Sequence, residues 1–308
     1  MSSASARLLS GSSEEYTILE NTIADMFGKD AALIFNTGYQ ANLGVITALI
    51  KKGDVVFSDK LNHASIIDGM QLAKGDFYRY KHLDYDNLEK LLKTKRNDYN
   101  RAIIVSESIF SMDGDEANID KLIELKNEYN CLLMIDEAHA FCACGAELSG
   151  LCYGKDVDII TATLGKAVGS FGAFCVSNSL IKSYLINNAR SFIFSTSIPP
   201  VCVEWSNWLL NEKRNYIKSQ KSKLQKLTRD VHILLKENNI ITSSNSHIIP
   251  ILIGDNKKTV SVSEQLRSIG YYIPAIRPPT VPEGTARLRI SLTADSSLDD
   301  FKRILSLI

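Results

Sequence analysis

The sequence has no excess of charge of either sign, no long apolar run and no apolar start. Lys and Arg together number 35, as do Asp and Glu, so the formal net charge is zero. A chain without a basic excess is not typical of proteins that bind nucleic acid or anionic membranes. No apolar run approaches the length of a membrane span. The first residues, Met1-Ser-Ser-Ala-Ser-Ala-Arg7, contain no apolar signal core, so we expect a cytoplasmic protein.

Several binding motifs are also missing. Neither G-x-G-x-x-G nor G-x-x-x-x-G-K-[ST] occurs, which excludes the usual signatures of a dinucleotide site and of a P-loop. C-x-x-C is absent too, although Cys142, Cys144, Cys152 and His139 stand close enough in sequence to suggest a metal cluster. C-x-C is not the usual spacing of structural zinc ligands, and a second ligand pair is lacking. We therefore expect reduced thiols and no metal site.

What the sequence does contain is an alternation of short apolar strands and helical segments. This order is typical of an α/β fold with a largely parallel sheet and helices on both faces. In such sheets, ligands bind where the carboxyl ends of the strands meet. The predicted strands are Ala31–Phe35, Val55–Phe57, Phe77–Tyr80, Ala102–Val105, Cys131–Ile135, a strand around Val157–Ile160, and Ala173–Val176.

The composition changes after Pro199-Pro200, where a long polar region begins. We expect two domains, residues 1–215 and a smaller C-terminal α+β domain of residues 216–308. The elements predicted in this part are a helical region from Val201 to Glu237, strand Ile248–Ile253, helix Val260–Ile269, strands around Tyr272 and Leu288, and a last helix that Ser296 caps.

Polar side chains follow several of the predicted strands. Lys166 stands between Gly165 and Gly169 after a buried strand, and burial makes a lysine amine a nucleophile suited to Schiff-base chemistry. An ordinary exposed loop lysine is the alternative. Asp136 and His139 end another strand, where an aspartate can pair with a protonated ring nitrogen. A helix cap with a core histidine, or the acidic box of a helicase, would also fit, but the helicase requires a P-loop.

Three further segments supply complementary groups. The turn Asn36-Thr-Gly38 opens a helix, and backbone N–H groups at a helix start can bind a phosphate. His63 lies at a strand-to-helix turn, where an imidazole can cap the helix or stack on a flat ligand, and Ser111 follows a strand. Arg287 and Arg289 share one face of a predicted strand, as either a carboxylate fork or solvated surface charges. A phosphate cradle, Asp, His, Ser and Lys together are the set that pyridoxal phosphate requires.

At these residues the chain resembles the α-oxoamine synthases, fold-type I enzymes that use pyridoxal 5'-phosphate. The resemblance covers nearly all 308 residues and implies a sheet of about seven mostly parallel strands. It is carried by Asn62-His-Ala-Ser-Ile-Ile-Asp-Gly69, Phe110-Ser-Met-Asp-Gly114, Asp136-Glu-Ala-His139, Thr163-Leu-Gly-Lys166 and Phe194-Ser-Thr-Ser-Ile-Pro-Pro200.

The resemblance also implies roles for individual residues. The implied catalytic residues are Lys166, Asp136, His63 and His139. Lys166 holds the cofactor covalently and moves the Cα proton, and Asp136 pairs with the pyridine nitrogen. His63 stacks on the ring, and His139 together with Ser111 bonds the phenolic oxygen. The remaining assignments are Gly38, Tyr39 and Thr163 for the cofactor or its phosphate, Thr196 for the phosphate of a partner subunit in a homodimer, and Arg289, Arg277 and Thr280 for the substrate.

Within the family, segment Ala275–Arg289 looks most like the members that condense L-alanine with a pimeloyl thioester, on coenzyme A or acyl-carrier protein, in biotin synthesis. The alternatives are 2-amino-3-ketobutyrate CoA ligase or another acyl-CoA-condensing relative, and a truncated, non-catalytic homologue. Two features depart from the family. Its members begin several tens of residues earlier, with a segment that helps to bind the substrate carboxylate, and they usually carry glycine and an apolar residue where this chain has Cys142 and Cys144.

Overall fold

The computed structural model describes residues 3–308 and divides them into two compact units. The first unit contains the residues up to Ser108 and Ala117–Lys218. The second contains Ile109–Glu116 and Ser219–Ile308. Among the described residues, no helix is both long and apolar enough to cross a membrane.

The first unit is built on a seven-stranded sheet in the order β1-β7-β6-β5-β4-β2-β3. The four pairings from β6 to β3 are parallel, whereas β7 runs antiparallel to both β6 and β1. The predicted α/β class with a mostly parallel sheet is therefore confirmed. The strands are β1 Ala31–Phe35, β2 Val55–Asp59, β3 Asp76–Tyr80, β4 Ala102–Glu107, β5 Leu132–Asp136, β6 Ile159–Thr163 and β7 Ala173–Ser177.

Helices connect these strands, and most begin at a side chain that accepts a hydrogen bond from a backbone N–H of the first turn. Thr37, Asp84, Asn118 and Asn178 are such caps. The first unit contains α1 Glu14–Phe27, α2 Gly38–Leu49, α3 Ala64–Leu72, α4 Tyr85–Lys95, α5 Ile119–Glu128, α6 Ser179–Asn188, α7 Arg190–Ile193 and α8 Pro200–Asn211, and α9 Arg214–Glu237 continues from it into the second unit.

Both faces of the large sheet are covered, because alternate strand residues point to opposite sides. On one face, α2, α3, α6 and α7 pack against side chains such as Phe35, Val105 and Cys175. On the other, Phe174 packs edge-on against Phe141 and Phe27, with ring centroids 4.9 and 5.7 Å away. Burial on both faces explains why the central strands are mostly apolar, with most of their polar residues at the carboxyl ends.

The second unit has its own antiparallel sheet in the order β8-β10-β9. Its elements are β8 Ile248–Gly254, α10 Asn256–Ser268, β9 Ala275–Ile276, β10 Ala286–Ser291 and α11 Leu298–Leu305. Segment Ile109–Glu116 belongs to this unit because its groups bond here: Ser244 Oγ donates to the Gly114 carbonyl, and Arg287 pairs with Asp113. The predicted contiguous domains, 1–215 and 216–308, differ from the compact units in this segment.

In the C-terminal part, the predicted helical region is present with one break, and two other local predictions were wrong. The helical region predicted from Val201 to Glu237 is interrupted between α8 and α9. No strand forms at Tyr272, which is 76% exposed; the strand that pairs with β10 is Ala275–Ile276. The cap of the last helix is Ser297, not Ser296, because the Ser297 hydroxyl is the one that accepts from the Asp300 N–H.

A buried carboxylate, Glu137, holds the loop that follows β5. Its side chain is fully buried and accepts hydrogen bonds from the Cys152 N–H at 2.6 Å and the Ser108 hydroxyl at 2.6 Å. In the same loop Cys142 has φ of 60°, the left-handed region that favours glycine. Burial raises the pKa of Glu137 to about 7, and the hydrogen bonds partly oppose that rise.

We expect Glu137→Gln to remove a pH dependence of stability. Between the ordinary glutamate pKa of 4.5 and about 7, the folded chain binds a proton at Glu137 that the unfolded chain has released, so stability falls as pH rises through this window. In the glutamine variant, the decline in the free energy of unfolding across this pH window is smaller by about 3 kcal/mol. Urea unfolding across this pH range measures it. Glu128→Gln, at an exposed position on α5, is the control, and an unchanged pH slope in Glu137→Gln would contradict the prediction.

Candidate active site

A cleft of about 180 Å³ opens in the first unit where the parallel strands end. Lys166 and His139, which follow β6 and β5, lie on its wall, as does Asp136, the last residue of β5. Seven of the predicted site residues share this one cleft. The lining residues are Gly38, Tyr39, Asn42, His63, Glu107, Asp136, Ala138, His139, Thr163 and Lys166.

Asp136 is a buried carboxylate that is held by hydrogen-bond donors on both oxygens. Asn42 Nδ2 donates to Oδ2 at 2.7 Å, and the Ala138 N–H donates to Oδ1 at 2.9 Å. Asn42 is itself fixed, because its Oδ1 accepts from the Thr161 hydroxyl at 2.7 Å. A carboxylate that is supported in this way and has one side facing the cleft can pair with a cation there.

His63 caps α3 and is oriented by Ser65. The Ser65 N–H donates to His63 Nδ1 at 3.2 Å, and the Ser65 hydroxyl lies 2.8 Å from the same nitrogen. Because Nδ1 accepts from a backbone N–H, the neutral ring carries its proton on Nε2. Ser65 also accepts from Asn42 Nδ2 at 3.0 Å, so one asparagine supports both Asp136 and His63.

Lys166 and His139 are in contact within the cleft. Lys166 Nζ lies 2.8 Å from His139 Nε2. Lys166 lies three residues beyond the end of β6 and is exposed, which differs from a buried lysine at the strand end. Thr163 begins this turn: its hydroxyl donates to the Gly172 carbonyl at 3.1 Å and accepts from the Gly165 N–H at 3.1 Å. An exposed amine beside an imidazole can attack an electrophile and exchange a proton with its neighbour.

The N-terminus of α2 faces the cleft through Gly38 and Tyr39. The first N–H groups of a helix have no partner inside the helix and attract anions. Tyr39 is 42% exposed, its hydroxyl donates to Asp68, and its ring lies edge-on to His63 with centroids 6.4 Å apart. This end of the cleft is therefore suited to an anionic group such as a phosphate.

Two polar lining residues, Asn42 and Glu107, were not among the predicted site residues. Asn42 stands four residues after Gly38, and Glu107 is the last residue of β4. Glu107 is 3% exposed, and burial followed by the nearby Asp136 charge raises the pKa of its carboxyl well above the ordinary range. A polar residue on the same helical face as the phosphate turn, and an acid ending an apolar strand, are the signals that could have identified them.

The other predicted site residues lie outside the lining of the cleft. Thr196 belongs to the first unit; it is exposed, and its carbonyl accepts from Asn36 Nδ2 at 2.7 Å. Ser111, Arg277, Thr280 and Arg289 belong to the second unit.

Within the second unit, Arg289 and Ser111 are joined directly. Arg289 Nε donates to the Ser111 carbonyl at 2.5 Å, and its Nη1 donates to the Ser291 hydroxyl at 2.6 Å. Burial lowers the pKa of Arg289 from its ordinary value. Arg277 and Thr280 are exposed in the turn after β9, where the Thr280 N–H donates to the Arg277 carbonyl at 3.1 Å. The hydrogen bond from Arg289 therefore fixes Ser111 and Arg289 relative to each other, whereas Arg277 and Thr280 are exposed side chains on the surface.

The family described as aminotransferase class I and II matches residues 1–308. An 8-amino-7-oxononanoate synthase of Chlorobaculum parvum is 40% identical over 310 residues, which cover 99% of this chain and 79% of the relative. A serine palmitoyltransferase of Sphingomonas wittichii superposes with a TM-score of 0.92 at 30% identity, covering 99% of this chain and 78% of that one. A serine palmitoyltransferase from S. paucimobilis with PLP–myriocin bound gives 0.92 at 27%, with the same coverages.

We expect Asp113→Asn to loosen the segment that carries Ser111. The Asp113 carboxylate pairs with Arg287, whose side chain is 10% exposed, so the variant leaves a nearly buried cation without its counter-charge. The local opening free energy of Ile109–Glu116 should fall by about 1–3 kcal/mol, as measured by amide hydrogen exchange.

A matched control for this prediction is Asp120→Asn. Asp120 also pairs with a cation, Lys155, but its side chain is 77% exposed. An exposed ion pair contributes less than about 1 kcal/mol, so exchange around Asp120 should change little. Equal effects of the two variants would show that burial of Arg287 is not the cause.

Proposed function

Because the chain belongs to the aminotransferase class I and II family, we propose that it is a pyridoxal 5'-phosphate-dependent acyltransferase that condenses L-alanine with a pimeloyl thioester to 8-amino-7-oxononanoate. The observation that carries the proposal is the convergence of Lys166, His139 and Asp136 on one cleft. The likeness in sequence to 8-amino-7-oxononanoate synthases supports the reaction. The product belongs to biotin synthesis.

The cleft fits pyridoxal phosphate by the chemistry of its donors. Asp136 offers a buried carboxylate to the protonated ring nitrogen, and Lys166 offers an amine to the aldehyde carbon. Gly38 and Tyr39 offer the helix N-terminus to the phosphate, supported by Thr163. His63, held by Ser65, would stack on the ring, and His139 with Ser111 would bond the phenolic oxygen. When bound, the cofactor stabilises negative charge on the substrate's α-carbon.

The remaining steps depend on side chains of this chain. Lys166 is the base that takes the α-proton of alanine and later returns one, because its amine lies in the cleft beside His139, which can exchange that proton. Arg289 binds the carboxylate of the amino acid, supported by its half-buried guanidinium. Arg277 and Thr280 contact the substrate from the turn after β9.

The proposal includes a homodimer in which Thr196 of a second copy binds the phosphate. Two large apolar side chains near Thr196 are exposed: Leu9 is 82% exposed, and Phe194, whose ring lies 4.7 Å from the Arg190 guanidinium carbon, is 70% exposed. Leu9 belongs to this surface because its N–H bonds the carbonyl of Ala6, which forms a β-bridge to Thr196. Exposed apolar side chains mark a protein interface where they form a contiguous patch, so we propose that a second copy covers Phe194 and Leu9. All six cysteines are thiols, which supports a cytoplasmic location.

We expect purified protein mixed with pyridoxal phosphate to give the visible absorption band of a lysine-bound cofactor. Lys166→Ala should abolish the band and lower kcat at least about a thousandfold, since both the covalent anchor and the base are lost. Lys52→Ala, in an exposed turn, is the control and should keep the band. A band that persists in Lys166→Ala would overturn the assignment of Lys166.

Release of CO₂ by the same purified protein tests which substrates it uses. Alanine with pimeloyl-CoA or pimeloyl-acyl-carrier protein should release CO₂. Glycine with acetyl-CoA should not, nor should serine with palmitoyl-CoA. Release from glycine with acetyl-CoA would favour a 2-amino-3-ketobutyrate CoA ligase, release from serine with palmitoyl-CoA a serine palmitoyltransferase, and a band without any CO₂ release a non-catalytic homologue.

We expect Phe194→Asp to shift the chain from dimer to monomer. A charge at a side chain that is 70% exposed costs little in the single chain but is costly when a second copy buries it. Light scattering over a dilution series gives the mass. Tyr272→Asp, at another exposed aromatic position, is the matched control. A wild-type chain that is monomeric at all concentrations would refute the dimer.

A further inference from the structure

Glu107 and Asp136 are neighbouring carboxylates at the ends of two paired strands. β4 and β5 are parallel, and Glu107 and Asp136 are partners in their register. Both side chains line the cleft, and the residues are 3% and 7% exposed. Two buried carboxylates at paired positions of neighbouring strands repel each other, which favours a proton on one of them.

The hydrogen bonds around the pair are unequal. Asp136 accepts from Asn42 Nδ2 and from the Ala138 N–H, one donor on each oxygen. Among residues 3–308, the one hydrogen bond of the Glu107 carboxyl comes from the His63 N–H at 2.5 Å. Donors stabilise the ionised form of the group they reach, so the negative charge is favoured on Asp136 and the proton on Glu107.

The other charged groups facing Glu107 do not reverse this order. Asp59, at the end of β2, adds a second negative charge and favours the protonated form. Lys166, after β6, favours the ionised form, but its contribution is smaller than that of Asp136. Burial is the largest contribution of all, and it raises the Glu107 pKa in the same direction as the two aspartates.

We propose that Glu107 is a positioning residue that stays protonated, so that the Glu107–Asp136 pair carries a single negative charge, located on Asp136. This charge would match the single positive charge of a protonated ring nitrogen, so that the buried carboxyl pair and that nitrogen are neutral together. Through the His63 N–H, Glu107 also fixes the start of α3 and hence the imidazole that faces the same ligand. Only the role toward the ring nitrogen rests on the proposed cofactor.

The proton on Glu107 can be observed without any cofactor. In a Glu137→Gln background, where the other fully buried glutamate cannot contribute, the infrared spectrum at mildly alkaline pH should show the carbonyl band of a protonated carboxyl group. Labelling glutamate carboxyls with ¹³C should move this band, and adding Glu107→Gln should remove it. A band whose frequency does not change with the glutamate label would place the proton on Asp136. The absence of a band would mean that both carboxyl groups are ionised. Either result overturns the proposal.

Proton counting during cofactor binding gives a second test. Calorimetry with pyridoxal phosphate in buffers of different ionisation enthalpy measures proton uptake, which should be the same in the wild-type chain and in Glu107→Gln. An uptake greater by about one proton in the wild-type chain would show that Glu107 is ionised before binding and overturn the proposal. If the cofactor does not bind at all, the proposed function fails, while the infrared result still decides the state of Glu107.

Affinity separates a positioning role from a merely structural one. Glu107→Gln keeps the shape and neutral charge of the protonated acid and an acceptor for the His63 N–H, so the dissociation constant for pyridoxal phosphate should stay within about threefold. Glu107→Leu removes that acceptor and should weaken binding about tenfold. Equal losses in both variants would mean that the carboxylate charge itself is needed, which contradicts the proposal.

Discussion

The charge of Asp136 at the end of a buried strand is the constraint on which the site depends. A carboxylate in this place is costly unless donors surround it, and α2 and the turn after β5 supply them through Asn42 and Ala138. Asn42 can do so because the Thr161 hydroxyl on β6 fixes its amide. The same amide also donates a hydrogen bond to Ser65, which in turn orients His63. Two strands and two helices therefore contribute to one network, whose exposed end is the cleft.

The strand ends of the first unit were predictable because burial on both faces leaves a clear local pattern. Asp136, Lys166 and Gly38 were found from that pattern, and they do share one cleft. Glu107 was not assigned a role, because its importance depends on β4 lying beside β5, and strand order is not encoded locally. In the second unit the signals are weaker: β9 is two residues long, and Tyr272 has a strand-forming side chain in an exposed turn.

In the proposed function, the residues that line the cleft bind the cofactor, and none of them is assigned to the acyl chain. This agrees with the close structural match to serine palmitoyltransferases, which carry a different name from the relatives that are most similar in sequence. Substrate choice is therefore expected to depend on residues outside the cleft lining, such as Arg277, Thr280 and Arg289. The sequence of segment Ala275–Arg289 is where such a difference would be encoded.

The assignment of Ile109–Glu116 to the second unit has a consequence for how this chain can be divided. Eight residues between β4 and α5 bond to β10 and to Ser244, far along the sequence. A fragment that begins at Ser219 would leave Arg287 without Asp113, and a fragment that ends at Lys218 would keep Asp113 without its arginine. No single cut therefore separates the two units intact, and independent recombination of either half with that of a relative would have to exchange this short segment as well.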